Sequence, residues 1–128
     1  MAYEASQICF GNLTAAADLS AKQYHFVKLA SATTVNVCDA VTDVPVGVLQ
    51  NTPSSGGAAE ICIFGISKIV ADATLAAGDV IGTSADSQAQ PVVRGTETTV
   101  TVAGQAITAA SAGETSTALI NISNGRAA

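Results

Sequence analysis

Ala59-Glu-Ile-Cys-Ile-Phe-Gly-Ile-Ser-Lys-Ile-Val70 is the stretch that decides the fold. Ile61 and Ile63 alternate with Cys62 and Phe64, Gly65 permits a bulge or bend, and Ile66 to Val70 resumes the pattern. The run predicts a long strand at the centre of the core, with Ile61, Ile63, Phe64 and Ile66 in the subunit interior. Just upstream, Asn51-Thr-Pro-Ser-Ser-Gly-Gly57 is a turn, because proline presets φ and the paired glycines permit positive φ. Together with Val46-Gly-Val-Leu-Gln50 on its other side, it reads as a hairpin.

Moving toward the N-terminus, Val35 and Val37 share one face of a short strand. Tyr24 to Leu29 alternates with period two, His25, Val27 and Leu29 on one face and Tyr24, Phe26 and Lys28 on the other. Asp18-Leu-Ser-Ala-Lys-Gln23 follows an alanine run and fits a helical turn with Asp18 as its cap. Residues 1–13 read as an extended N-terminal arm, too short to bury itself in a core of its own. Toward the C-terminus, Ala77-Gly78-Asp79 and Ala112-Gly113-Glu114 are matching small-residue turns. Strands are expected near Val80–Thr83, Gln90–Val93, Thr98–Val102 and Thr117–Ile122, with a loose tail over Ser123–Ala128. Several short strands at this spacing predict a mainly β fold, a small single-domain barrel or sandwich over residues 14–128 with at most one or two helical turns. No repeat period of the solenoid kind persists.

Composition agrees. Ala, Gly, Ser and Thr fill 61 of 128 positions, and Val plus Ile number 22 against 6 Leu, a bias toward strands. One core is all that the large apolar residues can fill. Five Lys plus Arg stand against 10 Asp plus Glu, with net charge −5, and no window joins basic residues to aromatics, so nucleic acid is not an expected partner. No stretch approaches the roughly 18–20 apolar residues that span a bilayer, and Met1–Phe10 lacks the positive run of a secretory signal, so neither membrane nor export is expected. Charged residues are 12% and mean hydropathy is +0.41, which leaves uncharged surface for copies of the chain or a partner to cover.

A catalytic kit is missing from the sequence. There is one histidine, His25, and no Gly-x-Ser-x-Gly elbow, phosphate-binding Gly-Lys-Ser/Thr loop or His-Glu-x-x-His pair. His25 on an alternating strand is a structural or interface residue, since nothing in the sequence supplies an orienting partner. Asp39, Asp43, Asp72, Asp79 and Asp86 lack the spacing of a calcium loop and read as solvated turn carboxylates. Cys9, Cys38 and Cys62 are odd in number and have no Cys-x-x-Cys pairing, so free thiols in a reducing compartment are expected, with Cys38 and Cys62 buried. Asn12-Leu-Thr14 and Asn121-Ile-Ser123 match the glycosylation pattern by chance. No enzyme activity, cofactor or metal is expected.

The order of features, Ala17-Asp-Leu-Ser-Ala-Lys-Gln-Tyr24, Phe26-Val-Lys-Leu29, Val46-Gly-Val-Leu-Gln-Asn51, Gly65-Ile-Ser-Lys68, Ala77-Gly-Asp79 and a closing Ala-Gly turn before the last strand, resembles the capsid cement, or decoration, proteins of tailed bacteriophages. The likeness runs from about Ala17 to Ile122. It implies a β-rich protein on the outer surface of the virion head, commonly a homotrimer, that binds the major capsid protein and stabilises the capsid by bridging its neighbouring subunits. A tail or fibre module of the virion, or a small-ligand-binding β-barrel, are the alternatives. A sugar-binding module would show exposed aromatics, but aromatics are 4% with no Trp. Tyr3, Ile8 and Phe10 in the arm are the candidate capsid or subunit contacts, with Ile8 and Phe10 on one strand face and Glu4, Ser6 and Gln7 keeping the segment soluble. An arm of this kind orders on contact with a neighbouring copy or the capsid by adding a strand to an exposed sheet edge.

Overall fold

The computed structural model describes residues 2–123 and 125. The described residues form nine strands, β1 (Ala5–Ala15), β2 (Phe26–Leu29), β3 (Thr34–Val37), β4 (Gly47–Leu49), β5 (Ala58–Val70), β6 (Val80–Thr83), β7 (Ala89–Pro91), β8 (Gly104–Ala106) and β9 (Thr115–Asn121), of which β5, the isoleucine-rich run, is the longest. There is no helix among the described residues. All nine strands belong to one sheet in the order β1-β3-β2-β4-β5-β9-β8-β6-β7, and a further β1–β5 pairing closes the first five into a ring. Every pairing between named strands is antiparallel except β1–β3.

The decisive run is the spine of this sheet. β5 pairs with β1 along its first two thirds, with β4 at Cys62 and Ile61 on its other edge, and with β9 from Phe64 to Val70. Alternation gives it two cores. Ile61 joins Ala15, Leu19, Val27, Val35, Leu49 and Ala59 on one side, while Cys62 joins Phe26, Val48, Ile69, Ile81 and Ile120 on the other. Cys62 and Ile69 lie an odd number of residues apart, which an unbroken period-two strand does not place on one face. The change falls between Cys62 and Phe64, where β5 advances two residues against the single step from Cys9 to Ile8 on β1 and leaves Ile63 without a partner there; Gly65, whose φ is 126° and whose missing side chain makes room for the backbone of Ser6 and Gln7, follows at once. The bulge at Ile63 and the positive φ of Gly65 together lie where the strand passes from the ring to its pairing with β9, the irregularity that Gly65 allows in the sequence.

Two turns brace that second half in the same way. Gly78 and Gly113 hold positive φ, 93° and 85°. In each the following carboxylate reaches back three residues, Asp79 Oδ2 accepting from Ala76 N at 2.9 Å and Glu114 Oε1 from Ser111 N at 2.8 Å. The two turns exchange equivalent bonds with each other's strands. Gly113 N donates to Ala71 O and Ala71 N to Glu114 O, while Gly78 N donates to Ala106 O and Ala106 N to Asp79 O. Leu75 and Ala110 pair between them. The matched turns of the sequence are therefore the two ends of a pseudo-twofold unit.

Several expectations are corrected. Thr98–Val102 forms no named strand; Val100 and Thr101 are buried locally, and the strand is the weaker-looking Gly104-Gln-Ala106 that follows. Gly104 decides this, since a Cβ there would collide with Leu119 O of β9, so only glycine lets the strands meet. Asp18–Gln23 is a turn, with Asp18 Oδ1 accepting from Ser20 N at 3.1 Å. Of the four expected core residues Ile61 is fully buried, Ile63 and Ile66 are half-buried, and Phe64 is 47% exposed. Leu29 is exposed while Phe26 and Val27 are both buried, because β2 carries core on both faces. Of the N-terminal arm expected over residues 1–13, Ala5–Leu13 belongs to a strand of the chain's own sheet that runs on to Ala15, so position 13 is no boundary; Met1 lies outside the described residues. Apart from Ser123 and Gly125, the tail lies outside the described residues.

Candidate interaction surface

Cross-strand pairing assembles one exposed face from β1, β5, β9 and β8. Directly paired residues share a face. Ile8 pairs with Phe64 and Phe64 with Asn121, while Ile66 pairs with Leu119 and Leu119 with Gln105. Ile8, Phe64 and Leu119 are 58%, 47% and 36% exposed. An isolated exposed apolar residue needs no explanation, but three on adjacent strands of one face form a patch. Around its far side Val80, Arg94, Val102, Gln105, Leu119, Asn121 and Ser123 line an open hollow of about 310 Å³.

Of the three contact residues read from the sequence, Tyr3 and Ile8 are exposed and Phe10 is not free. Tyr3 is tied to β9 by its backbone, its carbonyl accepting from Thr117 Oγ1 at 3.1 Å. The residue is left 46% exposed. Phe10 pairs with Ile61 and, half-buried, packs against the ring core. A register shift separates Ile8 from Cys9, so Ile8 and Phe10 do not share one face as regular alternation would have it. Phe64 and Leu119 were missed because their alternating runs read as core. The signal available was that a strand paired on both edges still presents one face to solvent.

The titratable groups serve the fold. His25 is buried, and its Nδ1 lies 2.8 Å from Ser87 Oγ, an orienting partner distant in sequence. Phe26 N donates to Ser87 O at 2.7 Å, so the loop after β6 is sewn to the start of β2. Burial lowers the His25 pKa below the ordinary imidazole value, and Lys22 adds to this. Lys28 bridges Asp39 at 2.7 Å and Asp43 at 2.9 Å. Burial pushes the Asp43 carboxyl up, but hydrogen bonds from Lys28 and from the backbone N–H groups of Asp39 and Ala40 outweigh it and hold it below the usual range. Asp43 is thus a loop brace rather than a solvated carboxylate, whereas Asp39 pairs with Lys28 while its side chain stays 76% exposed. Cys38 and Cys62 are free, buried thiols, and burial pushes each up to about 12. Among the described residues no three His, Cys, Asp or Glu side chains gather as a metal site.

No family model matches the chain, and no curated protein matches it. A solved structure does. The head fiber gp8.5 N base of bacteriophage phi29 superposes with a TM-score of 0.66 over 93% of this chain and 98% of that one, at 19% identity. At that identity the likeness is one of fold: this chain has the all-β architecture of a phage head-fibre base.

Proposed function

We propose that the chain is a structural, non-catalytic protein of a bacteriophage virion, seated on the outer surface of the head, where it binds the major capsid protein as a homo-oligomer and bridges neighbouring capsid subunits. The observation that carries this reading is the shared fold over nearly the whole length of a head-fibre base. It is supported by the resemblance of Ala17–Ile122 to head decoration proteins and by the charge-poor patch of Ile8, Phe64 and Leu119. A protein that binds only the assembled shell stabilises it by mass action. Tyr3 and Ile8 belong to the proposed contact, joined by Phe64 and Leu119, while Phe10 supports it from beneath.

The fold likeness favours a second reading within the same setting, in which the chain is the base of a fibre. Cryo-electron microscopy of the encoding phage's particles tests both. Density for this fold on the outer face of the head is expected; density at the tail alone, or none on the particle, overturns the proposal. Cementing predicts that heads lacking the protein release DNA at a lower temperature. Unchanged release at full occupancy, with a projection rising from each copy, assigns the fibre base instead.

A further inference from the structure

We propose that Cys9 and Cys62 are a latent cross-strand disulfide, which oxidation closes to staple β1 onto β5. The two residues are direct partners in the antiparallel β1–β5 ladder. Such partners place their Cα atoms roughly 4.5–5.5 Å apart, within the roughly 4.4–6.8 Å that a disulfide spans. Direct partners also point to the same face, and here both side chains pack against the same core cluster. Cys9 Sγ donates to Gln7 Oε1 at 3.4 Å and Cys62 Sγ to Phe64 O at 3.6 Å, while Cys38 is buried in the same cluster but is the ladder partner of neither. Both thiols are free in this structure. The pairing is independent of what the exposed face docks on.

The chemistry assigns an order. Cys9 is half-exposed and lines an open groove with Phe10, Asn51 and Glu60, whereas Cys62 is fully buried. With a low-molecular-weight disulfide as oxidant, the Cys9 thiolate attacks one of its sulfurs and expels the other half as a thiolate that takes up a proton. Cys62, losing its proton, then attacks the Cys9 sulfur of the mixed disulfide and expels the second half as a thiol. Two protein thiols and one small disulfide become one protein disulfide and two small thiols. Burial and the neighbouring carboxylates of Glu60 and Glu4 raise the Cys9 pKa, so the first step is slow near neutrality and faster at alkaline pH. What the staple secures is the segment Ala5–Leu13, which pairs with β5 alone; β3 holds only Thr14 and Ala15.

The test incubates the purified full chain with oxidised glutathione at alkaline pH and maps the peptides by mass spectrometry. The expected product is a monomeric chain lacking two hydrogens, with Cys9 and Cys62 cross-linked, Cys38 still a thiol, and Tm raised by about 5 °C or more. Dithiothreitol should reverse both changes. Cys38→Ala should still form the bond, and Cys9→Ser, at the less buried position, should form none. Folded wild-type chain that keeps three thiols, that stops at a glutathione adduct on Cys9, or that links Cys38 instead overturns the proposal.

Discussion

The two halves of the sheet solve the packing problem with different side chains. The ring of β1–β5 fills its core with Leu19, Val27, Val35, Leu49 and Ile61, whereas the core on which β6–β9 pack sets six alanines, Ala71, Ala89, Ala103, Ala106, Ala110 and Ala118, among Phe26, Val48, Ile69, Leu75, Ile81 and Ile120. Branched side chains keep strands apart and fill the space between them. Alanines and glycines let backbones close in, as Gly82 does, where an added Cβ would sit 2.7 Å from Val100 Cγ1 and 2.8 Å from Thr101 O. The contrast is one of sensitivity: the ring suffers from lost volume, the alanine half from added volume.

The largest effect is expected in the ring. Ile61→Ala should cost about 4 kcal/mol in urea unfolding, because the residue is fully buried between Leu49 and Phe10 strands. A loss within about half a kcal/mol would mean the ring core is not where the stability lies. Removing residues 2–10 strips one edge of β5 and should lower stability severely, where a free arm would be dispensable. Gly65→Ala, at the junction of the halves, meets both a φ of 126° and the backbone of β1, and should cost about 3 kcal/mol.

Ala118→Val tests the other half, and overpacking there should cost about 2 kcal/mol. A stabilised variant would reveal empty space and break the contrast.

Acid should weaken the ring first, since both perturbed braces anchor β2. The neutral, buried His25 has a lowered pKa, so stability is present above the imidazole range and falls as pH drops below about 6.5. Asp43 is also lowered, so its contribution is present above pH 3.8 and fades as pH falls through its folded value. Asp43→Asn should remove about 1 kcal/mol at neutral pH and flatten the lower limb of the stability profile. An unchanged profile would take Asp43 out of the account.

The halves also differ in how legible they were. Val80–Thr83 and the Ala58–Val70 spine stood out because alternation and flanking turns agreed, and the twin Ala-Gly-Asp and Ala-Gly-Glu turns carried their own carboxylate braces. Gly104–Ala106 was hidden because its strand depends on an absent side chain, a property of the partner β9 rather than of local propensity. β1 was readable as extended, but its partner lies about fifty residues away, and nothing local distinguishes an arm from a strand of the home sheet. Composition singled out Tyr3 and Ile8, which are exposed; the exposure of Phe64 and Leu119 was not legible, because which face of β5 and β9 meets water is set by strand order and by the bulge before Gly65.

The smallest effect on stability should accompany the largest on binding. Ile8→Asp with Phe64→Asp changes two exposed neighbours, and should move stability by no more than about 1 kcal/mol. Titrating the wild-type chain and this double variant onto purified heads that lack the protein tests the central claim most directly. Wild type should saturate the heads, and the folded variant should bind at least tenfold more weakly, about 1.4 kcal/mol. Superposable saturation curves, or heads that take up no wild-type chain, would contradict docking of this face on the capsid.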